Sequence, residues 1–220
     1  MKLFELTWGL YPRRVIIYLV EKGITDIERV PLDFLRNQHR DSRHLSRNPA
    51  STVPVLELSP GVYIRQSTAI LEYLEELYPH PNMMGETSEA RAFTRDLMSL
   101  INESTQWLGL YVMNSNPLFA GRVEQKKDAA DAAWDLYQSR MGVLDKIVYS
   151  AEFLNDVHPT IADCSLASLI QFSTDFYNVE VPDCGHIKEW YGRFSARPSA
   201  HPPKYPRELL AIARGQKGYA

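Results

Sequence analysis

The stretch Ser51–Leu74, read as S-T-V-P-V-L-E-L-S-P-G-V-Y-I-R-Q-S-T-A-I-L-E-Y-L, most narrows what this chain can fold into. Val55-Leu56-Glu57-Leu58 and Val62-Tyr63-Ile64 are β-prone runs. Between them Ser59-Pro60-Gly61 combines a proline that presets φ with a glycine that accepts a positive one, so the three segments predict a hairpin. A helix follows at once, because Ser67 is a good N-cap and Ile70, Leu71, Leu74 and Leu77 recur on one helical face. Pro54 cannot donate to a ladder and belongs at the first residue of its strand, and it pushes Val53 into an extended conformation. The hairpin thus brings an extended backbone at Val53 near a helix start at Ser67. An extended peptide can pair with the first, and a carboxylate suits the orphan N–H groups of the second. A short acidic peptide is the natural ligand; a plain surface hairpin with a capped helix is the alternative these residues leave open.

Upstream, Lys2–Thr7 reads as a strand, and Pro12 suits the first position of a helix whose apolar residues Val15, Ile16, Leu19 and Val20 end at Gly23. Ile27–Leu32 is a second strand, which makes a βαβ unit with two parallel strands. Asp41–Ser46 is a short helix ended before Pro49. The order β-α-β-α-β-β-α is that of a thioredoxin-like α/β domain over residues 1–78. After the linker Tyr78-Pro79-His80-Pro81-Asn82 no strand pattern returns, and an all-α helical bundle is expected over residues 83–220. Glu89–Met113 and Val123–Tyr149 are its long amphipathic helices. Thr160-Ile161-Ala162-Asp163 opens another with a capping box, and a last short helix is expected around Arg207–Arg214 after a proline-broken tail.

With 45% hydrophobic residues in 220, the chain can build real cores, and a formal net charge of −3 without a basic run gives no attraction for nucleic acid or an anionic membrane. No apolar stretch approaches a bilayer-spanning length, and Met1-Lys2-Leu3-Phe4-Glu5 starts into a strand instead of a signal peptide, so a cytoplasmic location is expected. Cys164 and Cys184 form no C-x-x-C, and the six histidines no H-E-x-x-H, so neither a disulfide framework nor a metal is expected. There is no G-x-G-x-x-G and no G-x-S-x-G, which leaves nucleotide cofactors and serine hydrolysis unsupported.

V-P-V-L followed by R-Q-S-T-A-I-L-E-Y-L resembles the glutathione-binding segment of the cytosolic glutathione transferases, and the later T-I-A-D resembles a capping motif of their helical domain. The resemblance implies glutathione as cofactor: Val53, before a cis proline at Pro54, would pair with its cysteinyl backbone, and Gln66 with Ser67 would hold its γ-glutamyl end. Gln-Ser at this place resembles the zeta class. Asn37-Gln38-His39, nine residues before Asn48-Pro49, is similar in spacing to the theta class, which implies that His39 meets the glycine carboxylate. The resemblance also implies a homodimer.

Glutathione chemistry needs the thiolate, and a free thiol has a pKa near ~8.5, so the protein must stabilise the anion. The junction Thr7-Trp8-Gly9-Leu10-Tyr11-Pro12 is the place to look, and here the sequence departs from the family. The position where many relatives place serine or cysteine is Gly9, and the position matching tyrosine-type enzymes falls near Glu5. The hydroxyls left are Thr7 and Tyr11. Arg13 and Arg14 sit in the first helical turn, where cations oppose the macrodipole, so an anion is expected beside Arg13 and an acid of the helical domain beside Arg14. Trp8, Trp107, Leu108 and Tyr111 are the residues expected to face the second substrate; an aromatic stripe of core residues is the alternative for Trp107 and Tyr111.

These features point to an enzyme that activates the glutathione thiolate for attack on a small electrophile. The alternatives are a glutathione-dependent cis-trans isomerase, a non-catalytic binder of glutathione or apolar ligands, and an enzyme that uses this cleft without glutathione.

Overall fold

The computed structural model describes residues 1–148, 152–154 and 158–216. The end of the expected helix at Tyr149 and the last four residues of the chain lie outside them. The N-terminal part runs β1 (Lys2–Glu5), α1 (Leu10–Lys22), β2 (Glu28–Pro31), α2 (Ser42–Arg47), β3 (Val55–Ser59), β4 (Val62–Ile64) and α3 (Ser67–Leu77). Its four strands lie in the order β2-β1-β3-β4. β1 runs parallel to β2, with Leu3 opposite Arg29, and antiparallel to β3, with Leu3 opposite Leu56. The parallel pair is joined through α1, as a crossover requires, and the antiparallel pair β3–β4 through the turn at Gly61, whose φ of 87° only glycine adopts readily.

Helix α1 is buried from Pro12 to Leu19 and again at Lys22, so its middle is enclosed around the whole circumference. Such a helix must be covered on every side. One side packs with α3 and the other with α6 (Ile161–Gln171), itself buried at every residue. Gly23 ends α1 in the left-handed region at φ 68°, with its N–H on Val20 O and that of Ile24 on Leu19 O.

The remaining elements are helical: α4 (Ser88–Ser115), α5 (Lys127–Ile147) packed along it, α6, α7 (Gly185–Phe194) and α8 (Arg207–Ala213). At α6 Thr160 and Asp163 form the expected capping box. Asp163 does more than cap: its Oδ2 accepts from the Thr160 N–H and hydroxyl at 2.8 and 2.7 Å, and its Oδ1 from Leu154 N–H and Trp190 Nε1–H at 3.0 and 2.9 Å. A second buried knot joins α1, α3 and the connection to α4. Lys22 Nζ lies 2.7 Å from Glu75 Oε1, which also accepts from Tyr18 Oη at 2.7 Å, while Glu75 Oε2 accepts from Met83 N–H at 2.9 Å.

Several expectations shift. β1 stops at Glu5 and not Thr7, because the chain turns at Leu6, whose carbonyl accepts from Gly9 N–H. Ser67 is the first helical residue of α3; Gln66 holds the cap position and makes no capping bond. α5 begins at Lys127 and not Val123, after a turn in which Gly121 has φ 77°. α7 escaped the sequence reading because its cap residue, Cys184, offers no capping side chain.

Asp163→Ala leaves four buried donors without an acceptor, and each such group costs about 1–3 kcal/mol. A loss of roughly 3–5 kcal/mol is expected in urea unfolding, with Asp163→Asn in between. A change below about 1 kcal/mol would contradict this account of the cap.

Candidate active site

In the N-terminal part only α2 caps itself, with Asp41 accepting from His44 N–H at 2.6 Å. α1 starts at Gly9, which has no side chain to cap with, and α3 at Gln66, which makes no such bond; neither helix has an acid in its first turn. In α1 the Arg13 N–H returns to Gly9 O and Pro12 has no N–H, which leaves the N–H groups of Leu10 and Tyr11 without a helical acceptor. In α3 the first helical bond is Ile70 N–H to Gln66 O, leaving those of Ser67, Thr68 and Ala69. Each open helix end carries about half a positive charge and suits an anion.

Val53 stands in the segment that leads from α2 back to β3. The Val53–Pro54 peptide is cis, and Pro54 is buried directly before β3. The segment is anchored from below: Asn48 Nδ2 donates to Thr52 O at 2.9 Å, His44 Nε2 lies 3.0 Å from the same oxygen, and Ser51 Oγ donates to His39 O at 2.7 Å. The peptide groups of Val53 enter none of the hydrogen bonds among the described residues.

A cavity of about 310 Å³ joins these parts. Its floor is Leu6 and Gly9–Pro12, one wall is Phe34 with Ser51–Val53, and the facing wall is Thr105, Leu108, Gly109 and Val112 of α4 with Phe172 and Tyr177. The last two belong to a π-helical turn, Phe172–Phe176, and the residue that ends it.

Tyr11 is the polar side chain at the floor, 36% exposed. Its hydroxyl oxygen accepts from Gln106 Nε2 at 3.2 Å, which leaves its own proton free to donate into the cavity. The Arg14 guanidinium carbon lies 4.9 Å from the centre of the Tyr11 ring. Arg14 is fully buried, and its partners are neutral: Asn102 Oδ1 at 2.6 Å and Thr105 Oγ1 at 2.8 Å, with Nε unpaired. Burial pushes its pKa down to about 10, which still leaves it charged at neutral pH.

The family model described as "Glutathione S-transferase, N-terminal domain" matches residues 8–77. The maleylacetoacetate isomerase of Rattus norvegicus is 31% identical over 207 residues, covering 89% of this chain and 91% of that protein. The chain belongs to the glutathione S-transferase family. A crystal structure of a glutathione S-transferase domain-containing protein from Marinobacter aquaeolei VT8 superposes with a TM-score of 0.80 at 31% identity, covering 91% of this chain and all of that one. A glutathione transferase family member from Pseudomonas fluorescens, crystallised with two glutathione bound, has a TM-score of 0.77 at 25% identity, covering 90% of this chain and 89% of that one.

For this glutathione transferase the structure revises several expected roles. Arg13 turns away from the cavity: its guanidinium donates to Gln171 Oε1 and Ser199 O, both at 2.9 Å, and to His201 O, knitting α1 to the C-terminal tail. Among the described residues Arg14 meets no acid. Thr7 is exposed and does not line the cavity, because the turn after β1 presents Leu6 there instead. Glu5 is buried against Arg29, with Nη2 2.5 Å from its carboxylate.

Trp107 and Tyr111 fall on the face of α4 beside the cavity wall, since one helical residue turns about 100° and the wall is formed by 105, 108, 109 and 112. Trp107 is half-buried against the core, and Tyr111 packs on Trp134 at 4.9 Å between ring centres. Trp8 lies in an aromatic cluster, 5.2 Å from Phe176 and 6.4 Å from Phe172. Gln66 is exposed and Ser67 buried at the open end of α3; neither lines the cavity. His39 lines an adjoining cavity and stacks on Phe34 at 4.0 Å, with its Nδ1 buried and unpaired. Leu108, expected to face the second substrate, does line the cavity. Gln106, Phe172 and Tyr177 had no local signal, since only the fold brings them to the neighbourhood of Tyr11.

Burial lowers the His39 pKa below its ordinary value, and Arg40 and His44 add to that shift. The folded state therefore takes up this proton less readily than the unfolded chain. Its contribution to stability is present above the ordinary value near 6.5 and is lost as pH falls from there through the folded pKa. An NMR titration of the imidazole should give a midpoint below about 6.5, and a midpoint above it would contradict the half-buried, neutral ring.

Proposed function

We propose that the cleft binds glutathione along the Val53 backbone, with its γ-glutamyl end at Gln66, Ser67 and the start of α3, and its sulfur over the start of α1. Glutathione-dependent transferase or isomerase activity is the function of the family to which the chain belongs. The observation that carries the seating is the pair of open helix ends flanking one unpaired extended segment, which matches a tripeptide with an anionic end and a thiolate.

Tyr11 is the proposed donor to the thiolate, in the absence of a serine at Gly9. Its oxygen already accepts from Gln106, and Arg14 beneath the ring favours negative charge above it. One charge-assisted hydrogen bond contributes about 1.5–3 kcal/mol, which corresponds to roughly one to two pKa units of thiol depression. The bound thiolate then attacks the electrophile. Its sulfur either forms a lasting bond, giving a conjugate, or adds reversibly to an activated double bond and leaves after rotation, giving an isomer.

Tyr11→Phe is expected to raise the pKa of bound glutathione by roughly one unit or more, read from thiolate absorbance, with Thr7→Val unchanged. A rise in Thr7→Val alone would transfer the role to Thr7. Glutathione that binds wild-type protein with an undisturbed thiol pKa would favour a non-catalytic carrier.

We also propose a homodimer that joins the N-terminal part of one subunit to the helical part of the other, on the strength of the family relationship. Sedimentation should then give about twice the 25.2 kDa chain mass at micromolar concentration. A species of the single-chain mass would refute it.

A further inference from the structure

Among the described residues, no charged side chain lines the cavity with Tyr11 at its floor, and the lining is mainly apolar. The charge next to it is that of Arg14, fully buried and set against the Tyr11 ring. Where screening is this weak, the field that such a charge sends into a cavity depends on what the guanidinium is paired with.

Its partners come from α4. Asn102 Oδ1 accepts from Arg14 Nη1 at 2.6 Å and Thr105 Oγ1 from Nη2 at 2.8 Å, while the Thr105 hydroxyl donates to Ile101 O at 2.7 Å. The Asn102 amide is oriented from its other side, where Nδ2 donates to Thr68 Oγ1, in the first turn of α3, at 3.4 Å. Both partners of the guanidinium are therefore neutral. No carboxylate reaches it among the described residues, and Tyr11 is the titratable group that faces it. A buried cation without a counter-ion lowers stability, and aspartate, which has the shape of asparagine, would supply one through the same contact. On stability alone, Asn102 is the poorer residue for this place, which is the pattern of a position shaped by function.

We propose that Asn102 is a positioning residue for thiolate formation: as a neutral partner it holds Arg14 under Tyr11 and leaves the guanidinium charge uncompensated, so that the bound thiol ionises more readily. This role rests on the glutathione reading of the cleft. A unit charge about 10 Å away, at an effective dielectric of about 20, moves a pKa by roughly one unit.

Two variants of the full chain test it. Without ligand, Asn102→Asp gives the buried guanidinium a counter-ion, and its thermal midpoint is expected to rise by about 2–4 °C. Asn102→Ser, neutral and shorter, is expected to lower the midpoint. At saturating glutathione, a pH titration of thiolate absorbance should place the thiol pKa of Asn102→Asp about 0.5–1 unit above that of the wild type and above that of Asn102→Ser. Stability and thiol acidity thus change in opposite directions in the aspartate variant, which a purely structural role does not produce. A midpoint that stays or falls in Asn102→Asp shows that Arg14 is already compensated and overturns the proposal. A rise in thiol pKa of the same size in Asn102→Ser overturns it too, because the residue is then a structural support. A raised midpoint with one thiol pKa in all three proteins overturns it while the glutathione reading stands. Wild-type protein that binds no glutathione, or binds it with an undisturbed thiol, overturns the glutathione reading and this role with it.

Discussion

A helix whose middle is buried on every side, cations included, has to be covered all round, and the placing of α1 is the constraint on which the rest of this molecule depends. It is the crossover between the two parallel strands, and α6 closes its far side. Burying eight consecutive residues from Pro12 to Leu19 fixes its axis, and full burial of each large aliphatic side chain contributes about 1.5–3 kcal/mol. A fixed axis means a fixed N-terminus, and the cleft is built around that terminus. The catalytic geometry proposed for Tyr11 is therefore a consequence of packing further along the same helix.

Three cations of α1 are buried, and each is accommodated differently. Lys22, in the last turn, receives the Glu75 carboxylate. Arg13 is satisfied by carbonyl and amide oxygens and Arg14 by an amide and a hydroxyl, and neither makes an ion pair among the described residues. Arg13 closes the first turn and Arg14 opens the second, so both add to the positive end of the helix dipole instead of cancelling it. The field at the cleft floor is thus the sum of peptide dipoles and two poorly screened guanidinium groups.

Much of this was legible in the sequence because local rules and the fold agree. The turn at Gly61, the left-handed cap at Gly23 and the Thr160–Asp163 box each need one residue type at one place, and such signals survive without tertiary context. The backbone geometry of the proposed site was legible, at the extended Val53 and the two helix starts. The site was misread where side-chain direction decides. Arg13 and Arg14 are adjacent, and a step of about 100° sends one to the tail and the other under Tyr11. The same step separates Trp107 and Tyr111 from the wall that Thr105, Leu108, Gly109 and Val112 form. Partners distant in sequence, such as Gln106 for Tyr11, leave no periodic trace at either residue.

The bond from Arg13 to the carbonyls of Ser199 and His201 has a consequence for how the molecule comes apart. It ties the first helix of the chain to nearly its last segment, and Arg197 repeats the tie through a two-point pair with Glu21 at 2.8 and 2.7 Å. Peeling the tail away would strand a guanidinium in the interior and uncover the apolar side of α1 together. Neither loss is tolerable alone, so the α/β and helical parts are coupled into one cooperative unit, and the cleft between them opens or closes only within the limits that this shared helix allows.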